Sequence, residues 1–189
     1  MSYINKNWAT FGVIMALTII TIIFCFGDKL QNIQKLACIN LVTLLLHQFE
    51  EYSYPGKFKF FYNTHILNKN PITKFPLTDN GILVVNIFLA WTMYSIAVFL
   101  GTSSLWLNIG LIGVTILNGI MHSIMFLKLK RYNPGLITGS VILIPFGLYF
   151  LYYIKDFATF LDIFFGVIIF VIGTVLIPLS IFLTSNSRQ

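Results

Sequence analysis

Long apolar runs separated by short polar breaks set the pattern of this chain. A helix needs about 20 mostly apolar residues to cross the hydrocarbon core of a bilayer. Six segments approach or reach this length, at roughly 8–26, 32–51, 81–100, 104–127, 136–154 and 160–184. Turn-forming or charged residues lie in the gaps, as expected where a helix ends. The pattern predicts an all-α fold, a polytopic membrane helix bundle of about six transmembrane helices, forming one integral membrane domain over residues 1–189.

The composition agrees with a membrane protein. Hydrophobic residues make up 57% of the chain and charged residues 10%, whereas a soluble domain is about 25% charged. Membrane lipid is therefore an expected partner, and the oligomeric state is left open. The net charge is +6, but the basic residues form no dense stripe, so we expect no nucleic-acid partner. Cys25 and Cys38 have no metal-binding spacing. The first apolar run is long and lacks a small-residue cleavage site, which favours a spanning helix over a signal peptide.

The basic residues predict the orientation, because loops rich in Lys and Arg stay in the cytoplasm. With six spans, one face carries nine basic residues: Lys6, Lys57, Lys59, Lys69, Lys74, Lys128, Lys130, Arg131 and Arg188. The opposite face carries three: Lys29, Lys35 and Lys155. We therefore predict a multi-pass protein of the cell membrane with the N and C termini cytoplasmic.

Polar residues inside the predicted spans fall on stripes. In the second span, Asn40, Thr43, His47, Glu50 and Glu51 follow one another at helical spacing, with the two glutamates adjacent. At 3.6 residues per turn these positions share one face of a helix. Ionisable groups are costly within a membrane and normally face the bundle interior or a cavity. The stripe therefore predicts one wall of an inward-facing polar site.

A second stripe, in the fourth span, contains Thr115, Asn118 and His122, and the third span contributes Asn86. His122 lies six residues before Lys128, a rise of about 9 Å. Asn86 and His47 have a similar depth below the cytoplasmic ends of their helices. The polar residues of three helices are therefore predicted to meet in one layer near the cytoplasmic side.

This set of residues suits metal chemistry. Two histidines with a carboxylate match the preferences of zinc or non-haem iron. The predicted metal ligands are His47, Glu50 and His122, with Glu51 as the alternative carboxylate and His65 as a further candidate. The predicted catalytic residues are His47, Glu50, Glu51 and His122, because the glutamate that does not bind metal can act as a general base. Asn86, Asn118 and Tyr132 are predicted to line the substrate site.

Structural roles for the same residues stay open. Glu51 can be a solvated helix end, and His122 can make a hydrogen bond between helices. The asparagines can serve as packing contacts, which membrane helices use often. The segment 52–80 alternates aromatic and basic residues, and a short helix there would place Phe58, Phe61, Tyr62 and His65 on one face. That helix can be an anchor at the membrane interface or a lid over the site.

Three ordered motifs resemble the HXXEE domain family of multi-pass membrane proteins. They are His47-Gln48-Phe49-Glu50-Glu51, Asn118-x-x-x-His122 and Tyr132-Asn133-Pro134-Gly135, within roughly residues 35–155. The resemblance implies that the family's signature positions in this chain are His47, Glu50, Glu51, His122, Tyr132, Pro134 and Gly135. It implies no reaction, because the family is functionally uncharacterised.

Three functions remain as hypotheses. The first is a membrane-embedded, metal-dependent hydrolase that acts on a lipid or a small amphiphilic substrate from the cytoplasmic side. The second is a proton-coupled transporter or channel with His47, Glu50 and His122 as a proton relay. The third is a non-catalytic membrane partner protein whose polar layer only holds helices together. No nucleotide-binding loop or nucleophile elbow supports a kinase, an ATPase or a serine hydrolase.

Overall fold

The computed structural model describes residues 3–68 and 76–186, and over these ranges the chain is helical without strands. Seven helices follow in order: α1 (Tyr3–Phe26), α2 (Asn32–Tyr52), α3 (58–66), α4 (79–100), α5 (Leu105–Leu129), α6 (Leu136–Ile154) and α7 (Phe160–Asn186). The hydrogen bonding widens from α to π within three of them, at Tyr62–Ile66, Val84–Trp91 and Gly139–Leu143. Lys69, Lys74 and Arg188, used above to predict orientation, lie outside the described residues.

Helix α2 lies at the centre of the bundle and packs against α1, α4, α5 and α6. Two thirds of its residues are buried, including Asn40, His47, Glu50 and Glu51. The surrounding helices expose their large apolar side chains, whereas α2 keeps its polar side chains inside. A polar helix is stable in this position because neighbouring helices supply hydrogen-bond partners that lipid cannot.

Four stretches among the described residues are long and apolar enough to cross a membrane: Asn7–Lys29, Asp79–Leu129, Leu136–Ile154 and Phe160–Thr184. The predicted count of six spans is therefore not reproduced. The predicted second span forms helix α2, but it is not among these four stretches because its polar stripe lowers its mean hydropathy. The predicted third and fourth spans fall within one stretch of 51 residues.

Within that long stretch the chain reverses at Gly101–Ser104, a single turn of 3₁₀-helix between α4 and α5. The Tyr94 hydroxyl donates to the carbonyl oxygen of Leu111 at 3.2 Å. In one straight helix these residues would be about 25 Å apart. Helices α4 and α5 therefore form an antiparallel hairpin. The turn between them begins at Gly101, whose φ of 54° is favourable for glycine.

Helices α5 and α6 cross closely where two glycines meet. A Cβ atom on Gly119 would lie 2.5 Å from the carbonyl oxygen of Gly139, so a larger residue does not fit. Small residues commonly allow membrane helices to approach in this way. The crossing brings the start of α6 beside His122, since a Cβ on Gly139 would lie 3.4 Å from the His122 Cβ.

The short helix predicted within 52–80 forms as α3. Its Asn63 side chain is buried and bonds both the backbone N–H and the carbonyl of Leu77. Lys59 pairs with Asp79 at 2.8 Å, at the start of α4. The Phe58 ring lies 5.2 Å from the His122 ring, centroid to centroid. These contacts hold α3 over the region where the polar stripes of α2 and α5 meet.

Candidate functional site

Three ionisable side chains from the two predicted stripes come together in the bundle. The Nε2 atom of His122 lies 3.2 Å from Oε1 of Glu51, and Nε2 of His47 lies 3.8 Å from the same oxygen. His47, Glu51 and His122 each offer one ligand atom, and these atoms all lie within 4.8 Å of one another. All three residues are buried, with exposures of 0%, 5% and 1%. We call this cluster the His–Glu–His group.

His47 is oriented by two neighbours. Its Nδ1 atom lies 2.8 Å from the Thr138 hydroxyl oxygen, and its Nε2 atom lies 3.0 Å from the Asn118 amide nitrogen. The Thr138 hydroxyl donates its own proton to Glu50, so it accepts the proton of His47 Nδ1. The Asn118 amide nitrogen can only donate. His47 is therefore neutral here, with its Nε2 lone pair directed into the site.

His122 is oriented through its other ring nitrogen in the same way. The Nδ1 atom lies 2.6 Å from Oδ1 of Asn133, and the Asn133 amide nitrogen donates to the His122 backbone carbonyl at 3.0 Å. Oδ1 is the acceptor atom of Asn133, so His122 Nδ1 carries a proton. Asn133 is fully buried, and its two bonds leave the His122 Nε2 atom facing Glu51.

The contact between His122 Nε2 and Glu51 needs a positive charge or a proton. A neutral imidazole with Nδ1 protonated has a lone pair on Nε2, and an ionised carboxylate has only lone pairs. Two lone pairs at 3.2 Å repel each other. The contact is favourable when a proton lies on either group or when a cation binds both. The group is therefore suited to binding a metal ion or a proton.

Glu50 is adjacent to Glu51 in sequence but makes different contacts. Its two carboxylate oxygens accept four hydrogen bonds: from Tyr132 Oη (2.7 Å), Ile137 N (3.1 Å), Thr138 N (2.7 Å) and Thr138 Oγ1 (2.6 Å). The two backbone donors belong to the first turn of α6, where helical N–H groups lack partners and favour an anion. Glu50 thus fixes the start of α6 on α2.

This geometry changes one member of the predicted ligand set. The sequence predicts His47, Glu50 and His122, with Glu51 as the alternative carboxylate, and the structure groups His47, Glu51 and His122. Hydrogen bonds occupy both Glu50 oxygens, so Glu51 is the carboxylate that can face a metal. Both glutamates lie on the polar face of α2. They differ because the first turn of α6 donates hydrogen bonds to Glu50.

The segment between α5 and α6 explains the Tyr-x-Pro-Gly motif. Tyr132 binds Glu50, and burial together with that carboxylate raises the pKa of its phenol. Gly135 has a φ of 96°, which favours glycine. A Cβ there would lie 2.5 Å from His122 Cε1 and 2.9 Å from His47 Cε1. Gly135 therefore packs directly against both imidazoles, and Pro134 beside it is buried.

A cavity of about 420 Å³ adjoins the His–Glu–His group. Glu51 and His122 line it, as do two of the three predicted substrate-lining residues, Asn86 and Asn118. The third, Tyr132, contacts Glu50 and is not among the lining residues. Most of the remaining wall is apolar and comes from α3, α4, α5 and α7.

Other polar residues of the stripes connect helices. Thr115 donates to Oδ1 of Asn40 at 3.0 Å and lies 2.8 Å from the Tyr94 hydroxyl. Gln48 donates to Asn86 at 2.9 Å and accepts from the Trp91 indole at 2.7 Å. These contacts agree with the packing role left open for the asparagines.

Three positions of the site were not identified from the sequence. Gln48 lies inside the HXXEE motif, where spacing predicts no role for it. Asn133 belongs to a predicted turn, and Thr138 belongs to no motif. Each is a single uncharged polar residue, a signal that is too common in a sequence to identify a site residue.

His65 lies outside the His–Glu–His group. Its Nε2 atom is 3.4 Å from Nη1 of Arg131, and its ring packs on Phe61 at 5.1 Å. His65 therefore belongs to the contact between α3 and the end of α5. This agrees with the alternative in which the segment 52–80 forms an interfacial helix and His65 is not a ligand.

No curated protein and no solved structure is detectably similar to this chain. A family model described as "protein of unknown function with HXXEE motif" matches residues 38–150, more than half of the chain. The matched region contains every residue of the His–Glu–His group and the segment that orients it. The chain therefore belongs to the HXXEE family.

Proposed function

We propose that this protein is a membrane-embedded, metal-dependent enzyme whose metal ion is held by His47, Glu51 and His122. The observation that carries the proposal is the shared orientation of the two imidazoles. Each is hydrogen-bonded through Nδ1, and each has Nε2 within 3.8 Å of the Glu51 carboxylate. Metal-binding histidines typically donate their other N–H to an acceptor, which fixes the ring and its tautomer.

The donor set and spacing fit zinc or iron. Histidine nitrogens and carboxylate oxygens lie about 2.0–2.2 Å from zinc, which places tetrahedral ligand atoms about 3.4 Å apart. The two distances to Glu51 Oε1, 3.2 and 3.8 Å, bracket that value. Binding through His47 Nε2 requires the Asn118 amide to turn away from that nitrogen. Asn118 lines the cavity, which gives its side chain room to do so.

The proposed reaction is hydrolysis of an ester or amide in a lipid or another amphiphile. A metal ion held by these residues would polarise a substrate carbonyl as a Lewis acid and would make a nearby water molecule more acidic. Glu51 would bind the metal through the Oε1 atom that faces both imidazoles. Because Glu51 also lines the cavity, its other carboxylate oxygen would take a proton from a water molecule whose oxygen bonds to the carbonyl carbon. The carbon–oxygen or carbon–nitrogen bond then breaks, and Glu51 returns the proton to the leaving alcohol or amine. Glu50 positions His47 through Thr138.

The proposed topology keeps six crossings with the termini in the cytoplasm. The reversal between α4 and α5 supports two crossings within residues 79–129, and the burial of α2 supports its crossing inside a sheath of apolar helices. In this orientation the His–Glu–His group lies near the cytoplasmic leaflet of the cell membrane.

A hydrolysis assay with matched variants tests the proposal. Purified protein in detergent is offered para-nitrophenyl fatty acid esters and the corresponding anilides. We expect turnover that a chelator removes and zinc or iron restores. Glu51→Gln should abolish it, whereas His65→Ala, which changes the histidine outside the group, should retain it. A folded wild type that hydrolyses none of these compounds would overturn the hydrolase assignment.

The same contact supports a second candidate, a proton-coupled transporter. A proton would make the contact between Glu51 and His122 favourable, as a cation would, and a separate set of hydrogen bonds links Asn40, Thr115 and Tyr94 on the same helices and on α4. In proteoliposomes, metal-free wild type should then dissipate an imposed pH gradient faster than Glu51→Gln. Equal rates would contradict this candidate.

A further inference from the structure

We propose that the cavity is the binding site for a single fatty acyl chain, with the tail between α4, α5 and α7 and the polar end at Glu51 and His122. This inference rests on the proposed function and names its substrate class. Three features of the cavity support it: its length along α4, the separation of polar and apolar parts of its wall, and the cover that α3 provides.

The cavity is elongated along α4. Its lining residues on that helix run from Gly81 to Tyr94, a rise of about 20 Å. The antiparallel helix α5 contributes Val114 at the Tyr94 end and Met125 at the other. A volume of about 420 Å³ lies within the range of small-molecule sites, about 300–1,000 Å³. A long, narrow space of this volume fits an extended chain better than a compact ligand.

The polar and apolar parts of the wall are separated. Glu51, Asn86, Asn118 and His122 form a band near the middle of the cavity. Beyond this band the wall is formed by the apolar side chains of Leu44, Ala90 and Val114. Three hydroxyl side chains also line this end, and each is hydrogen-bonded within the protein: Tyr94, Thr115 and Thr174. The deep part extends from Asn86 to Tyr94, about 12 Å along α4. An amphiphile therefore matches the cavity when its carbonyl lies at the band and its tail lies beyond it.

The cytoplasmic end of the cavity is covered by α3. Phe58, Tyr62 and Ile66 line that end, and Phe58 packs on the His122 ring. The Lys59–Asp79 pair and the bonds from Asn63 to Leu77 hold α3 in place. Because α3 packs over this end, we place a single tail in the apolar part beyond the polar band, as a fatty acid or a lysolipid would provide.

Photolabelling tests the proposal. The probe is a fatty acid with a diazirine at its methyl end, added to the purified protein in detergent, and labelled residues are mapped by mass spectrometry. We expect labels at deep cavity residues, Ala90, Val114 and Thr174, that unlabelled fatty acid displaces. Ala90→Trp and Thr174→Phe, which fill the cavity from different helices, should each reduce this labelling at least tenfold. Phe88→Trp is the matched control, since Phe88 lies two residues from Ala90 and is 71% exposed.

Several results would overturn the inference. Labels confined to outward-facing residues such as Phe88 would show that the probe lies on the surface. Labelling that persists in both cavity-filling variants would also contradict a tail in the cavity. Equal labelling of the deep residues by a diacyl phospholipid carrying the diazirine on one chain would refute the single-chain assignment.

Labelling requires no catalysis, so it separates this inference from the proposed function. Metal content is measured on the same wild-type sample. Metal without deep labelling would overturn the acyl-chain site alone. Deep labelling of a metal-free protein would retain the acyl-chain site and overturn the metal-dependent enzyme.

Discussion

Glu50 and Glu51 are neighbours in sequence, are similarly buried and belong to the same motif, yet their surroundings are opposite. Glu50 accepts four hydrogen bonds, two of them from the backbone at the start of α6. Glu51 faces two imidazole nitrogens that need a proton or a cation to make the contact favourable. A carboxylate whose oxygens accept all their hydrogen bonds from the protein, as in Glu50, stabilises the fold. A carboxylate that still needs a proton or a cation between itself and its neighbours, as in Glu51, is available for binding and catalysis.

The largest expected effect is that of Glu50→Ala on stability. It removes four hydrogen bonds and leaves the N–H groups of Ile137 and Thr138, in the first turn of α6, without their side-chain partner, so we expect a loss of roughly 3–5 kcal/mol in the free energy of unfolding. Chemical unfolding in detergent measures it. Glu51→Gln, the comparison variant, should change stability by less than about 1 kcal/mol. Similar losses in the two variants would remove the distinction between the glutamates.

Gly135→Ala should damage both the fold and the His–Glu–His group. A left-handed backbone costs a non-glycine residue about 1–2 kcal/mol, and the added methyl overlaps both imidazoles, so we expect a loss of about 3 kcal/mol together with reduced metal content. Gly101→Ala is the matched control, because Gly101 also has a positive φ but lies in the turn between α4 and α5. It should lower stability and keep the metal. Loss of metal in both variants would point to general unfolding instead.

Thr138→Val tests the connection between the two glutamates. Thr138 donates to Glu50 and accepts from His47, so valine removes both bonds at nearly constant volume. We expect a loss of about 2 kcal/mol in stability and a 10–100-fold weaker affinity for zinc, measured by competition with a chelating dye. Thr138→Ser should restore both properties. Unchanged zinc affinity in Thr138→Val would show that the orientation of His47 does not depend on this hydroxyl.

The smallest expected effect is that of Tyr132→Phe, which removes one half-exposed hydrogen bond to Glu50 and should cost no more than about 1 kcal/mol. Burial and the Glu50 carboxylate raise the pKa of Tyr132 in the folded state. Its contribution is therefore complete below the ordinary tyrosine pKa of about 10 and is lost as pH rises above it. The stability difference between wild type and Tyr132→Phe should shrink at alkaline pH. A difference that grows above pH 10 would contradict this assignment.

Helical periodicity was enough to predict that the stripes of α2 and α5 face each other. His47 and Glu51 are one turn apart on α2, and His122 lies at matching depth on α5, so counting residues placed them together. The predicted helical bundle is confirmed for the described residues. Asn86 and Asn118 also lie beside the group, although their role as substrate-lining residues stays a prediction.

Other features depend on tertiary contacts that spacing does not encode. Which glutamate faces the histidines is decided by the first turn of α6, which bonds Glu50. The roles of Asn133 and Thr138 depend on a left-handed residue at Gly135 and on the Gly119–Gly139 crossing. Hydropathy leaves α2 out of the four candidate spans because its polar stripe lowers the value, and the structure shows that other helices enclose this stripe.

Metal content tests the central claim, that Glu51 and the two histidines form a metal centre, most directly. Wild type, His47→Ala, His122→Ala and His65→Ala are purified without chelators, shown to be folded, and analysed by plasma mass spectrometry. The account predicts near-stoichiometric zinc or iron in wild type and His65→Ala, and its loss in the other two variants. A folded, metal-free wild type that also takes up no zinc or iron when titrated would contradict it.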